Sequence, residues 1–222
     1  MGRLICCVLA GLSVFVTGLD RGHAGVLTLD QSYDAVANGS NGGINVSSTQ
    51  TLAQTFTVGI GGLLAQVDLQ ARLGLSGASD DLVLTILGTS GGIPDLGNVL
   101  GSVSISPGSV PPFSPFNSVF VNVDVSGLGI SVTNGDVLAL ELSYPTGTGN
   151  YVWLEGNDTY TGGDQYFRSA PGTSWSNQFS DAGFQTWVEV GTVPEPSSLA
   201  LLGMGVSGLC GYRLRRKRRL AA

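Results

Sequence analysis

Carboxylates are the main reactive side chains in this 222-residue sequence, which has sixteen Asp and Glu but a single histidine, His23. His23 lies in an N-terminal segment with the pattern of a removed leader. The rest of the chain therefore lacks the imidazole that a Ser-His-Asp triad or a His-based zinc site needs. Cys6, Cys7 and Cys210 all fall in terminal apolar segments, so the middle has no disulfide, thiolate ligand or cysteine nucleophile. Lys217 is the one lysine and sits in the terminal basic cluster, which excludes Schiff-base chemistry upstream. No GxxxxGK[ST] loop occurs, and Gly59-Ile60-Gly61-Gly62 precedes no helical pattern, so a nucleotide site has no support.

Two acids flanking a sugar bond would make a glycosidase, and Glu141, Glu155, Glu189 and eleven aspartates could supply such a pair. Acids at outward strand positions and in turns are, however, what any solvated sheet carries, so the expectation is a protein without catalytic activity. Calcium needs only oxygen-rich loops; Asp80, Asp81, Asp158 and Asp164 are candidate ligands, although no EF-hand spacing exists. No other cofactor is expected. Nine aromatic residues crowd the stretch from Tyr151 to Trp187, and aromatic faces can stack on sugar rings. Tyr160 and Trp175 fall in loop-like sequence and are the candidates for polysaccharide contact, whereas Trp153 and Trp187 lie in strand patterns and read as core.

Charge divides the chain sharply. Residues 25–192 keep two arginines, Arg72 and Arg168, against fourteen acids, a net charge of −12. Backbone binding to nucleic acid requires clustered Lys and Arg, so nucleic acid is excluded as a partner.

The elements that position these groups are short and β-rich. Strands are expected at 51–58, 63–73, 82–87, 99–105, 119–125, 137–144, 151–154, 165–168 and 184–190. Val119, Val121, Val123 and Val125 alternate with polar neighbours, and Leu138, Leu140 and Leu142 face away from Ala139, Glu141 and Ser143. Period-two alternation predicts half-buried antiparallel strands. Turn residues separate the runs at 91–95, 133–136 and 162–163. The expected fold is all-β, an antiparallel jelly-roll-like sandwich over 25–192, with a mobile loop at 34–48 and a rigid proline-rich loop at 107–115.

Both ends read as processing segments. Arg3, an apolar run over 4–16 and Gly22-His23-Ala24 predict a signal helix in 1–24 and cleavage between Ala24 and Gly25 by signal peptidase, with an uncleaved anchor as the alternative. At the other end, residues 193–222 comprise Val193-Pro194-Glu195-Pro196, a mostly apolar stretch over 197–212 and the basic tail 213–222 with Arg213, Arg215, Arg216, Lys217, Arg218 and Arg219. Sixteen helical residues rise about 24 Å, slightly short of the ~30 Å hydrocarbon core, and snorkelling arginines can close the gap. The basic tail would stay cytoplasmic, leaving the domain outside. A plain tail anchor is the alternative reading, and Gly203, Ser207 and Gly211 could form a helix-dimer face.

This order of Pro-Glu-Pro, short apolar helix and arginine cluster resembles the PEP-CTERM sorting signal. The resemblance implies a Gram-negative bacterium that makes exopolysaccharide, an exosortase partner and an inner-membrane anchored precursor delivered to the cell surface or extracellular matrix. The middle is similar to the choice-of-anchor jelly rolls through Ala53-Gln54-Thr55-Phe56-Thr57-Val58, Gly135-Asp136-Val137-Leu138-Ala139-Leu140, Tyr160-Thr161-Gly162-Gly163, Trp175 and Phe184-Gln185-Thr186-Trp187. That similarity implies no established catalysis. It leaves two readings: a structural surface protein, or an exopolysaccharide-binding module, calcium-assisted or not.

Overall fold

A computed structural model describes residues 25–40, 42–114, 119–169 and 174–191. The predicted signal helix, sorting motif, transmembrane helix and basic tail lie outside them. Among the described residues fifteen strands follow one another: β1 Val26–Tyr33, β2 Gly42–Val46, β3 Gln50–Thr57, β4 Gly62–Leu69, β5 Ala71–Ala78, β6 Leu82–Ser90, β7 Ile93–Ile105 and β8 Val121–Asp124. After these come β9 Ser131–Val132, β10 Val137–Ser143, β11 Gly149–Asn157, β12 Gln165–Ser169, β13 Ser176–Asn177, β14 Ser180–Ala182 and β15 Phe184–Val190. Every pairing is antiparallel. Helical structure among the described residues amounts to two single 3-10 turns, Pro107–Ser109 and Ser126–Leu128.

One layer is the six-stranded sheet β13-β12-β3-β10-β6-β7. Opposite it stand β1-β15-β4-β8, with β9 on β4, and β14-β11-β2, with β5 on β11. These last two sheets are stitched at one corner. Gln70 N–H donates to Gly183 O at 3.0 Å, Gly183 N–H to Leu154 O at 2.8 Å and Leu154 N–H to Gln70 O at 2.9 Å. The run expected as one strand over 63–73 is thus two, β4 and β5, because Gln70 turns the chain from one sheet into the other.

The alternation of β8 holds: Val121 and Val123 are buried while Asn122 and Asp124 are exposed, and exposed Val119 precedes the strand. That of β10 does not. Ala139 and Glu141 are as buried as the leucines, because β10 lies at the centre of its sheet between β3 and β6. The turn predicted at 91–95 narrows to Gly91 and Gly92, with φ of +60° and +84°, a left-handed pair that a tight hairpin demands and glycine adopts without strain. Ile93-Pro94-Asp95 already belongs to β7.

The expectation of a mobile loop at 34–48 is corrected. Asp34 Oδ1 accepts from Val36 N–H at 3.0 Å, Ala37 N–H at 3.1 Å and Gln70 Nε2 at 2.8 Å, and 42–46 forms β2. Strand β1 escapes the sequence pattern altogether; it is an edge strand with Val26, Leu27 and Leu29 exposed, so its alternation says little. The core between the layers gathers Phe56, Leu84, Leu140, Trp153 and Phe184, all fully buried.

Candidate functional site

Tyr160 is placed by an aromatic ladder rather than displayed as a platform. Its ring meets Tyr33 edge-on at 6.2 Å and Phe184 at 5.3 Å, and Phe184 continues to Phe56 at 6.0 Å. Its hydroxyl donates to Gln31 Oε1 at 2.9 Å, and burial pushes its pKa up. Tyr160 is half-buried, and its ring and hydroxyl are engaged within the fold, so it stands less free than the loop position expected for a sugar contact suggests. Trp175 is half-buried, with the Arg168 guanidinium 5.1 Å from its ring centroid and a buried indole Nε1 without an acceptor among the described residues. One of its faces is therefore also occupied. Trp153 is core, as its strand pattern implies, and its Nε1 donates to Gly183 O at 2.9 Å.

Arg168 reaches diagonally across β3 to Glu141, Nη2 to Oε1 at 3.1 Å. The register sets Ala53 opposite Glu141 and Thr51 opposite Arg168, small residues that let the pair lie against the sheet. Burial raises the Glu141 pKa and Arg168 opposes that rise. Asp181 is fully buried and also raised by burial, against donations from Tyr160 N–H at 2.7 Å, Thr159 N–H at 2.9 Å and Gln54 Nε2 at 3.3 Å. A carboxyl raised in the folded state binds protons that the unfolded chain has released. Its contribution to stability is full below the ordinary carboxylate pKa of about 4 and is lost as pH rises through the raised value. The melting temperature is therefore expected to climb as pH falls from neutrality toward about 4; a steady fall over that range would contradict the raised carboxyls.

An open groove lies at one end of the β14-β11-β2 sheet, where Asp181 holds the chain. It has a volume of about 440 Å³ and is lined by Gly39, Gly42, Gly43, the run from Glu155 to Asp158, Phe179 and Ser180. The Gly43 backbone lies so near Trp153 that a Cβ would stand 2.2 Å from the Trp153 carbonyl oxygen, which is why this wall is glycine. The opposite wall is fixed from behind. The Tyr33 hydroxyl donates to Asn157 O, Asn157 N–H donates to Asn38 O at 3.1 Å, and Asp181 holds the turn after Asp158.

Phe179 stands on the rim with 78% of its surface exposed and φ of +54°, the one non-glycine residue at positive φ among those described. Asn177 Oδ1 accepts its N–H at 2.7 Å and holds the conformation. A side chain in that region costs on the order of 1–3 kcal/mol that glycine would avoid. Glu155 Oε2 accepts from Ser180 Oγ at 2.9 Å, while its Oε1 and both Asp158 carboxylate oxygens take no donor from the described residues. The groove thus offers an exposed apolar ring beside carboxylate acceptors. Phe179 is one of the crowded aromatics in the sequence, but no local signal marks it as the exposed one.

The calcium candidates are not drawn together. Asp80 and Asp81 are exposed beside Tyr144 and Tyr151, Asp158 lines the groove, and Asp164 accepts from the Tyr166 hydroxyl at 3.5 Å. Among the described residues no group of three or more His, Cys, Asp or Glu converges to hold a metal ion. No described helix is long and apolar enough to cross a membrane.

These features define an antiparallel β-sandwich with a polar groove and an exposed aromatic rim. Residues 192–219 match the PEP-CTERM protein-sorting motif, close to the 193–222 expected from the sequence. Among curated proteins no match to the chain is found. The motif implies export, a membrane-anchored precursor and processing by an exosortase. No family match extends to the domain, so its likeness to the choice-of-anchor jelly rolls stays a resemblance.

Proposed function

We propose that this chain is an exosortase-sorted surface or matrix protein whose β-sandwich is displayed outside the cell and performs no catalysis of its own. The observation that carries the reading is the sorting motif at 192–219. Signal peptidase would act between Ala24 and Gly25, and exosortase at Val193-Pro194-Glu195-Pro196. A contact at the domain's start supports the first cut: Gly25 N–H donates to Glu189 Oε1 at 2.8 Å, where a newly freed ammonium would meet a carboxylate. A Cβ at Gly25 would come within 2.1 Å of Glu189 Cγ, so the glycine suits this close approach. The basic tail from Arg213 to Arg219 would hold the precursor in the inner membrane with the domain outside.

The intact mass of the protein from its native host tests this. A species starting at Gly25 and ending near Pro194–Pro196 is expected; one retaining the arginine tail would make the chain a permanent membrane protein and sink the sorted-surface reading. A second reading, polysaccharide binding by the same displayed domain, is favoured by the exposed Phe179 ring above a polar groove. Calcium assistance draws no support from the spread of the four aspartates.

A further inference from the structure

We propose that the groove between β2, β11 and β14 binds a neutral, hydroxyl-rich polysaccharide. One sugar ring stacks on Phe179 while Glu155 and Asp158 accept hydrogen bonds from its hydroxyls. This rests on the polysaccharide-binding reading and supplies it with a site and a ligand class.

Three independent observations converge on it. The first is Phe179 itself. Its backbone conformation favours glycine or asparagine, and its ring is exposed rather than packed, so neither local geometry nor the core accounts for an aromatic there. A flat apolar face turned to solvent beside polar groups suits the C–H face of a pyranose, which is apolar in the centre and hydroxylated at its edge.

The second is the set of carboxylates. Glu155 Oε1 and the Asp158 oxygens take no donor from the described residues and line the same groove as Phe179, so they are available to hydroxyl groups of a bound sugar. Hydrogen bonds from a hydroxyl to a carboxylate are charge-assisted and short. The same charges fix the class of polymer: the lining has no basic residue, and the domain carries two arginines against fourteen acids, so uronate, sulfate or phosphate groups would be repelled.

The third is preorganisation. Asn177 Oδ1 holds Phe179, Asp181 holds the turn beyond Asp158, and Tyr33 holds Asn157, so the wall that carries the ring and the carboxylates is held before a chain arrives. The groove is open rather than enclosed, as a site for an internal stretch of a long polymer must be, and its volume of about 440 Å³ suits one or two sugar rings.

Affinity electrophoresis of the mature protein, in native gels cast with a neutral glucan, a galactomannan or anionic alginate, tests the proposal. Retardation is expected in one or both neutral gels and not in alginate. Phe179→Gly should weaken it about tenfold, the scale of one lost aromatic contact, and Glu155→Gln with Asp158→Asn should weaken it further. Phe179→Gly relieves the backbone, so its melting temperature should hold or rise, which separates lost binding from lost folding. Equal retardation of wild type and Phe179→Gly would move the site elsewhere and leave the polysaccharide reading standing. Retardation by alginate alone would overturn the neutral class. No retardation in any gel would overturn both the site and the polysaccharide reading, without touching the sorting result that the mass measurement decides.

Discussion

Trp153→Ala is expected to cost about 3–5 kcal/mol of stability, the range for deleting a large buried aromatic. Trp153 sits fully buried on β11, the strand to which β2, β5 and β14 all pair. Its loss leaves a cavity beneath the middle of β11. It also removes the donor to Gly183 O, which sits at the corner that joins the two smaller sheets. Collapse into the cavity is limited, because the chain on either side is fixed by cross-strand pairs. In a domain of this size such a loss lowers the melting temperature by roughly 10 °C, readable by differential scanning calorimetry. Trp153→Phe restores most of the volume but not the hydrogen bond, and should recover most of the loss. A drop below about 1 kcal/mol for the alanine variant would mean that the corner does not depend on this side chain.

Glu141→Ala carries the second large effect. It removes the carboxylate that faces the Arg168 guanidinium against the sheet, a change worth about 3–5 kcal/mol when the remaining charge cannot reach water. The lower end is expected here, since the Arg168 side chain keeps 14% of its surface exposed and retains the Trp175 ring. Replacing both partners, Glu141→Leu with Arg168→Met, should instead be close to neutral or stabilising, because apolar groups carry no desolvation penalty in the same place. Urea unfolding of the two single variants and the double one separates the cases. If the double variant falls as far as Glu141→Ala, the pair contributes through packing rather than charge.

Strands with internal alternation are legible in the sequence. β3, β8, β10, β12 and β15 lie where the pattern puts them within a residue or two; β8, β10 and β15 each present a largely apolar face, while β3 and β12 are marked by their β-branched and aromatic residues between turn signals. β1 and β2 escape the pattern for opposite reasons. β1 is an edge strand whose apolar side chains stay in water, and β2 opens with two glycines that read as loop. Alternation assigns the buried Glu141 to an outward position, because it reports two faces but not which side chains of neighbouring strands, here Arg168 from β12, cover them.

The candidate site is legible only in composition. The clustering of aromatics and acids between Tyr151 and Trp187 is visible in the sequence, but the two residues favoured there, Tyr160 and Trp175, have their rings engaged by Phe184, Tyr33 and Arg168. Loop position and exposure are different properties. A loop aromatic is exposed only if no neighbour distant in sequence covers it, and those neighbours are brought by β1, β12 and β15.

By itself the sequence determines what is local: the turn residues, the period-two strands, the acidic excess, and the sorting segment read as a linear motif. Such features act through adjacent residues and need no partner from elsewhere in the chain. The tertiary structure alone decides which strands lie at an edge, where β4 gives way to β5 at Gln70, and that Phe179 rather than Tyr160 is left exposed beside Glu155 and Asp158. Each of these follows from contacts between residues far apart in sequence, and burial is set by the whole packed domain rather than by any one segment.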